Sequence, residues 1–436
     1  MQAPQPRVRL SRNRDFNIYW AGQILSAFGD AFGFLALPLL VLQATGSVAQ
    51  MGLVTGTFGV GQLVAGVFSG MIVDRVDRRK LMIVCDLVRT LLYATIPFAW
   101  WLSGPQLWLI YVVAGVGACL GNAFQVSNIT ALANLVDRDQ ITEANSRMQL
   151  GYALMFMVGP MLAGLVSQAF GPSVAIGIDA LSFLASAASL YFVRLRRASA
   201  QRPQGAERSE SKIEELLAGV RFLMSNPVMR WLTILLAGFG FLATAGLDLF
   251  IFHLKHDLGQ NDSAIGVLFA VASVGSIGGA LAAPAIRRRW GFAGGWLGGS
   301  FIQSAALAAV GVVPNVVATG GLMISFTASQ TVCGINSMSL RQEITPDHLL
   351  GRVTSAFWML MTAPGPIGAA LATALAERTS APFVLLIMGL GGVLLSTIGL
   401  FTPIRTQGAH AYATTPVHEQ ETQEQGRKED LVASVR

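Results

Sequence analysis

The sequence predicts an all-α polytopic membrane protein with twelve transmembrane helices, arranged as two pseudo-symmetric six-helix bundles. Three observations support this prediction: a series of long apolar runs, the placement of the lysines and arginines, and two repeated motifs. Hydrophobic residues make up 53% of the 436 residues and charged residues only 12%. A bilayer about 30 Å thick is crossed by about 20 apolar residues in a helix, so this composition indicates a chain that lies mostly in lipid.

Polar clusters and glycine or proline turns divide the apolar sequence into twelve runs, each long enough for one crossing. The predicted spans are 18–42, 48–73, 81–102, 107–133, 148–170, 173–193, 230–254, 263–285, 291–312, 316–338, 353–375 and 381–403.

The basic residues predict the orientation. Of the 30 lysines and arginines, only Lys255 and Arg378 lie on the side opposite the termini. Because positive charge is retained in the cytoplasm, both termini are predicted to be cytoplasmic.

The same rule accounts for the net charge of +6, so we reject nucleic acid as a partner. No small-residue cleavage site follows the first apolar run, which therefore reads as a retained span.

The domain boundaries follow from the longest internal connection. Residues 1–193 form the predicted N-terminal bundle, 194–229 a cytoplasmic linker, 230–403 the C-terminal bundle and 404–436 a disordered cytoplasmic tail. The end of the linker predicts an amphipathic helix, from apolar residues at helical spacing. The alternative, an extension of span seven, is disfavoured because Asn226-Pro227 interrupts it. The apolar residues are Ile213, Leu216, Leu217, Val220 and Leu223.

Two motifs recur at similar offsets and indicate duplicated halves. Residues 70–79 (GMIVDRVDRR) correspond to 279–288 (GALAAPAIRR) at an offset of 209. Residues 159–164 (GPMLAG) correspond to 365–370 (GPIGAA) at an offset of 206. Duplicated bundles of this kind place a substrate site between the halves near mid-membrane, which favours a transporter.

These motifs resemble the major facilitator superfamily, whose fold has twelve spans in two halves. Residues 70–79 match its loop signature Gly-x-x-x-Asp-Arg-x-Gly-Arg-Arg/Lys, except that Asp77 replaces the usual glycine. GPMLAG is similar to the family's antiporter motif. The segments LSRNRDFNIYWAGQILSAFG, LVDRDQITEANSRMQL and PDHLLGRVTSAF resemble the branch that contains bacterial macrolide-efflux proteins and the enterobactin exporter. The resemblance implies a proton-driven exporter in the bacterial inner membrane.

The resemblance also implies a conformational latch between the loop after span two and the start of span eleven. In the family the acidic residue, here Asp74, lies against the cytoplasmic start of span eleven, where the helix dipole favours a carboxylate. The alternative is an anchor that merely keeps basic residues on the cytoplasmic side. The predicted latch residues are Gly70, Asp74, Arg75, Arg78, Arg79 and Arg352.

The antiporter-like motif is predicted to bend span five and to allow close helix packing. Pro160 after Gly159 removes a backbone donor and bends span five, and Gly164 permits close helix packing. A purely structural kink is the alternative; the resemblance favours exchange of a proton for an exported substrate.

Acidic residues inside spans are costly and therefore candidates for proton coupling. Asp30 lies 12 residues into span one, roughly 18 Å deep and close to the midplane, and is the leading candidate. A structural acid bonded to a neighbouring helix is the alternative. Asp86 and Arg89 are three residues apart and predict a structural pair on one face of span three. Asp179 and Asp248 lie nearer the outer surface and are predicted gate residues.

Polar, aromatic and thioether side chains at span depth are candidates for the substrate cavity, because such surfaces adapt to varied apolar ligands. Packing or lipid-facing positions are the alternative for most of them. The candidates are Gln23, Phe28, Asn122, Gln125, Asn128, Met155, Asn336 and Trp358.

The preferred function is a proton-driven antiporter that exports amphipathic small molecules, such as drugs, macrolides or siderophores, by alternating access. An uptake symporter of the same fold is the alternative. An enzyme is disfavoured because the histidines, at 253, 256, 348, 410 and 418, are placed in loops or the tail. No phosphate-binding Gly-x-x-x-x-Gly-Lys-Ser/Thr loop occurs, and no catalytic residue, metal or cofactor is predicted. The expected partners are substrate, protons and lipid, and the expected state is a monomer.

Overall fold

The computed structural model describes residues 10–73, 76–133, 135–136, 140–193, 212–346 and 349–406. Within them, 11 helices are long and apolar enough to cross a membrane. One of these, Asp262–Val310, has 49 residues and would be about 74 Å long if straight. It is broken at Gly291, whose φ of 67° and ψ of −173° reverse the chain. Two crossings therefore lie within it, and the prediction of twelve spans is confirmed.

The helices follow the predicted order, and none of the described residues forms a strand. They are α1 Arg14–Thr45, α2 Val48–Val73, α3 Arg78–Ser103, α4 Leu107–Ala133, α5 Ile141–Phe170, α6 Pro172–Phe192, α7 Lys212–Ser225, α8 Pro227–Ala243, α9 Gly246–Phe252, α10 Asp262–Val310, α11 Val316–Ile344, α12 Leu350–Thr362, α13 Gly365–Arg378, α14 Ala381–Leu400 and α15 Pro403–Thr406, with a short 3-10 turn at Leu10–Arg12 and a π turn at His253–Asp257.

Two predicted spans consist of two helices each. Span seven is α8 followed by α9, and span eleven is α12 followed by α13, with Pro364 before the second helix. Proline lacks a backbone donor and interrupts a helix, which explains the break in span eleven. Several helices also extend beyond their predicted ends, because polar residues continue the helix out of the apolar layer.

Most lysines and arginines of the described residues lie at one end of the bundle, whereas Lys255 and Arg378 lie at the other. We call the end that holds the starts of α1 and α3 and the α10 bend at 287–291 the basic face, and the other end the opposite face. Four turns at the opposite face contain a glycine with positive φ, which other residues rarely adopt. These glycines are Gly46, Gly104, Gly171 and Gly259.

The predicted amphipathic helix of the linker is present as α7. It packs on α12 through Val220, Leu223 and Phe357. A Cβ at Gly219 would lie 2.3 Å from the carbonyl oxygen of Arg352, so only glycine permits this approach. Asn226 then begins α8 by accepting hydrogen bonds from the backbone N–H groups of Val228 and Met229. Of the predicted disordered tail, 404–436, the first three residues belong instead to α15, where Ile404 is buried. The rest of that tail and the rest of the predicted linker, 194–211, lie outside the described residues.

One apolar core joins the two halves. It includes Leu35 and Leu39 of α1 together with Leu249 of α9 and Ile265 of α10. Separate apolar clusters lie within each half toward the basic face. The two halves are therefore packed against each other on the side of the opposite face.

Candidate functional site

An ion pair between two helices of the N-terminal half forms the centre of the candidate site. Nη2 of Arg89 on α3 lies 2.9 Å from Oδ1 of Asp30 on α1. The Asp30 side chain is 42% exposed and the Arg89 side chain 10% exposed. The guanidinium carbon also lies 3.7 Å from the centre of the Phe183 ring on α6. An accessible carboxylate is thus held by a buried arginine.

Asp179 on α6 lies next to this ion pair. A Cβ at Gly33 would lie 2.4 Å from its Oδ2, and one at Gly29 would lie 2.9 Å from its Oδ1. The two glycines of α1 therefore make room for the carboxylate, which interacts electrostatically with both Asp30 and Arg89. Helix packing thus brings Asp179 to the same site as Asp30, which spacing along the chain did not reveal; its role as a gate or entry residue stays a prediction.

Asp86 is a second buried carboxylate of the cluster. It is fully buried and interacts electrostatically with Arg89 and Asp30. Ser186 lies close enough to interact, but neither Asp86 oxygen has a hydrogen bond of good geometry among the described residues. The predicted pair between Asp86 and Arg89 is wrong: the guanidinium extends toward α1 and pairs with Asp30. Spacing along one helix could not reveal a partner on another helix.

Charge balance defines what this cluster can do. Three carboxylates, of which Asp86 and Asp179 are buried, surround one guanidinium, so full ionisation would leave two uncompensated negative charges. Protonation of a buried carboxylate would relieve this excess of negative charge. We call Asp30, Asp86, Arg89 and Asp179 the acidic cluster.

Asp248 lies apart from the acidic cluster, in the C-terminal half. It is fully buried in α9 and close enough to interact with Thr55 of α2, in the other half. Neither carboxylate oxygen has a hydrogen bond of good geometry among the described residues. Asp248 therefore lies at the contact between the halves, and its role as a gate or entry residue stays a prediction.

Aromatic rings bridge the two halves one helical turn from Asp30. The centre of the Phe34 ring on α1 lies 6.4 Å from that of Phe156 on α5 and 6.1 Å from that of Phe269 on α10. Phe250 on α9 lies 6.1 Å from Phe269. No sequence pattern distinguishes Phe250 or Phe269 from the other apolar residues of the spans, so their contact is visible only in the structure.

The antiporter-like motif lies where α5 crosses α10. A Cβ at Gly164 would lie 2.4 Å from the carbonyl oxygen of Asp262, and one at Gly266 would lie 2.4 Å from that of Pro160. Gly159 is equally close to α1, since its Cβ would meet the Ala31 Cβ at 2.4 Å. The motif therefore forms a close helix contact between the halves.

The repeat of this motif occupies the matching contact between α2 and α13. A Cβ at Gly59 would lie 2.7 Å from the Pro366 ring. Farther out, Glu377 accepts hydrogen bonds of 3.1 Å from the Ser47 hydroxyl and from the backbone N–H of Ala49. Both Gly-Pro motifs thus hold the halves together toward the opposite face.

Several predicted cavity residues instead bond helices together within one half. Gln23 donates to the Ser186 hydroxyl at 3.1 Å, and Asn122 donates to Gln62 at 3.0 Å. Asn128 accepts a hydrogen bond from the Tyr19 hydroxyl. Gln23, Asn128 and Asn336 are buried, so in this conformation they do not face an open cavity.

The remaining cavity candidates are more accessible. Phe28 is partly buried against Phe32, at a ring distance of 4.8 Å, and Met155 is partly exposed. Gln125 and Trp358 are exposed. These four stay candidates for contact with a ligand.

The loop motif is only partly described. Asp74 and Arg75 lie outside the described residues, Gly70 is in the last turn of α2, and Arg78 is partly exposed. Arg79 donates to the carbonyl oxygen of Leu190 at 2.8 Å and to that of Tyr191, which ties the start of α3 to the end of α6. Asp77, which replaces the usual glycine, accepts from the Lys80 N–H and caps α3.

One prediction about the histidines is wrong. His253 is not in an exposed loop: it is 4% exposed in the π turn after α9, and its Nδ1 lies 2.9 Å from Oδ2 of Asp257. Among the described residues, no group of three His, Cys, Asp or Glu side chains is arranged to hold a metal ion.

Comparisons with known proteins agree with this architecture. A family model described as Major Facilitator Superfamily matches residues 19–369. The chain is 26% identical over 384 residues to the multidrug efflux pump Tap of Mycolicibacterium fortuitum, covering 86% of this chain and 92% of that protein. It is 23% identical over 422 residues to macrolide efflux protein A of Streptococcus pyogenes, covering 89% and 95%. The solved nucleoside transporter NupG shares the fold, with a TM-score of 0.73 at 14% identity over 89% of this chain and 98% of NupG.

Proposed function

We propose, because this chain belongs to the Major Facilitator Superfamily, that it is a proton-driven antiporter that exports amphipathic small molecules. The chain is a multi-pass membrane transporter and not an enzyme. Its similarity to a multidrug efflux pump and a macrolide efflux protein supports export and this substrate class. We further propose that the basic face is cytoplasmic, as the placement of lysine and arginine predicts.

The observation that carries the proposal is the acidic cluster beside the contact between the halves. Asp30 is accessible and paired with Arg89, while Asp179 and Asp86 are buried close to the same arginine. When a proton neutralises Asp30, Arg89 loses its partner and Asp179 becomes the better one. Protonation can therefore move a positive charge between two carboxylates and alter how α1 packs on α3 and α6.

Alternating access supplies the rest of the cycle. The described contacts between the halves lie toward the opposite face, so a cytoplasmic basic face makes this the inward-facing conformation. In our proposal, Asp30 releases its proton to the cytoplasm here and the substrate enters. The halves then rock about the aromatic contact, and protonation of Asp30 from outside accompanies substrate release.

The proposed test is transport of a macrolide in proteoliposomes with an imposed pH gradient. Asp30→Asn should lower gradient-driven accumulation at least tenfold, because an amide cannot exchange a proton. Asp15→Asn, at the start of the same helix, is the matched control and should stay within twofold of the native chain. Unchanged gradient dependence in Asp30→Asn would remove Asp30 from the mechanism.

The same assay separates export from uptake. An antiporter accumulates substrate in the compartment from which protons leave, whereas a symporter accumulates it in the compartment that protons enter. If the substrate accumulates in the compartment that protons enter, the protein is an uptake symporter of the same fold and our proposal is wrong.

The latch stays a proposal of its own. We propose that Asp74 meets the start of α12 near Arg352 when the basic face closes. Asp74→Ala should then favour the inward-open state and raise labelling of a reporter cysteine at position 351. Equal labelling in the native and variant chains would count against the latch.

A further inference from the structure

Arg341 is buried without a carboxylate partner in the described part of the chain. It lies near the basic-face end of α11 and is 2% exposed. Among the described residues, its guanidinium bonds to the Ser337 hydroxyl and the Met338 sulfur, both at 3.2 Å, and its Nε has no partner there. Because a guanidinium has five N–H donors, much of its hydrogen-bonding capacity is unused.

Two other arginines of the helices are paired with acids. Arg89 bonds to Asp30, and Arg287 bonds to both oxygens of Glu343 at 2.7 and 2.8 Å. A buried arginine without an acid is costly, since its charge is removed from water with little in return. The site therefore favours an added negative group.

Aromatic rings set the direction from which that group can approach. The Arg341 guanidinium carbon lies 3.7 Å from the centre of the Phe357 ring and 5.9 Å from that of Trp358. A guanidinium stacked on a ring keeps its N–H groups in its own plane, so an anion binds at the edge. Trp358 is 49% exposed and Met338 is 38% exposed, so an accessible surface borders the edge of the guanidinium.

That surface combines small and polar residues. The exposed residues of α12 recur at helical spacing, and those of α11 form a similar stripe. Serine, threonine and glutamine in these stripes fit a water-filled groove better than a lipid-facing surface. The residues are Gly351, Ser355, Trp358 and Thr362 on α12, and Gly334, Met338 and Gln342 on α11.

The repeat shows that the scaffold does not require an arginine here. The offset of 209 places Leu132 at the position equivalent to Arg341, and Leu132 is buried in the apolar core of its own half. The positive charge is thus a feature of one half only, which is expected of a ligand contact rather than of the shared fold.

We propose that Arg341, Phe357 and Trp358 form a binding site for the oxyanion, a carboxylate or phosphate, of an amphipathic molecule. The guanidinium edge binds the oxyanion, and Trp358 contacts the apolar part. Identifying that molecule as an exported compound rests on the proposed function; the site itself does not. The acidic cluster repels anions, so the negative end of a substrate is directed to the C-terminal half.

Binding of fluorescein, an aryl carboxylate, tests the site in the full-length protein in phosphatidylcholine nanodiscs. Fluorescence anisotropy should show at least tenfold tighter binding of fluorescein than of its methyl ester. Arg341→Gln should abolish this difference, and Arg341→Lys should keep part of it. The matched control is Arg230→Gln, an exposed arginine near the basic face, which should leave both affinities unchanged.

Two sources of the oxyanion are distinguished by adding phosphatidylglycerol to the nanodiscs. A lipid phosphate in the site predicts competition with fluorescein and Arg341-dependent lipid retention in native mass spectrometry. A soluble ligand predicts equal fluorescein affinity in both lipids. The proposal is overturned if folded Arg341→Gln, judged by its melting temperature, binds fluorescein and lipid as the native chain does.

Trp358→Leu covers the case in which Arg341→Gln does not fold. Because Trp358 is half exposed, its replacement should leave folding intact and weaken fluorescein binding at least threefold. Unchanged affinity would overturn the proposal. Normal binding with no transport would instead count against the exporter function alone.

Discussion

The two halves share a fold but differ in the side chains buried at equivalent positions. In the N-terminal half, α3 contributes Asp86 and Arg89 to the acidic cluster. The repeat offset of 209 places Gly295 and Gly298 at the equivalent positions of the C-terminal half. Beside them, the ring of fully buried Trp296 lies 6.2 Å from that of Phe239.

This difference separates two tasks. Charged groups inside a membrane helix are costly and are kept where they have a function. The acidic cluster lies in the N-terminal half, while aromatic packing occupies the equivalent region of the C-terminal half, whose buried carboxylate Asp248 lies elsewhere, in α9. Arg341 is a buried arginine of the C-terminal half, and its lack of an acidic partner among the described residues sets it apart from Arg89.

The largest expected effect comes from Arg89→Met, which removes the only cation of the acidic cluster. Leaving buried carboxylates without their partner should lower the free energy of unfolding by about 3–5 kcal/mol. Arg341→Met, which leaves no described carboxylate unpaired, should cost less. Thermal unfolding in detergent measures both, and equal losses would show that the two halves treat a buried arginine alike.

Neutralising the acids sharpens the comparison. Asp86→Asn keeps the shape of the side chain and removes a buried charge that lacks a well-made hydrogen bond. We expect the free energy of unfolding to rise, because the amide carries no charge that has to be removed from water. A melting temperature that falls as far as that of Arg89→Met would mean that ionised Asp86 holds the fold together.

The two crossings between the halves should respond differently to a single methyl group. Gly164→Ala puts a Cβ 2.4 Å from the Asp262 carbonyl oxygen, which is backbone and cannot turn aside. The contact should loosen, and labelling of a cysteine at position 263 from the opposite face should become at least tenfold faster. The labelling requires a background without Cys85, Cys119 and Cys333.

Gly56→Ala is the control at the other crossing. Its Cβ would lie 3.4 Å from the Pro366 carbonyl oxygen, which is an ordinary contact. Labelling should change less than twofold. A similar increase in both variants would show that the close backbone contact at Gly164 is not what limits labelling.

The smallest effect is expected at Gly298, the residue of the C-terminal half that the repeat offset makes equivalent to Arg89. A Cβ at Gly298 would meet nothing within 4 Å. Gly298→Ala should therefore be neutral or stabilise the helix by up to about 1 kcal/mol, because alanine favours helix more than glycine. A marked loss of stability would indicate that close packing extends to this position of the C-terminal half.

Local patterns predicted much of this molecule. Apolar runs gave the spans because every backbone group in lipid must be satisfied within a helix. Asn226-Pro227 marked the start of α8, where Asn226 caps the helix. Asp30, Asp86, Arg89 and Asp179 stood out because charges inside apolar runs are rare. None of these inferences needed contacts between distant residues.

The sequence by itself determined the number of crossings, the duplication and the candidate charged residues, because each is set by local hydrophobicity or spacing. Only the tertiary structure decided that Arg89 pairs with Asp30, that Asp179 joins them, and that Gln23 and Asn128 bond helices together. A side chain's partner depends on how helices rotate and pack against one another. Glycines such as Gly29, Gly33 and Gly164 set those distances, and their effect is visible only once the facing helix is in place.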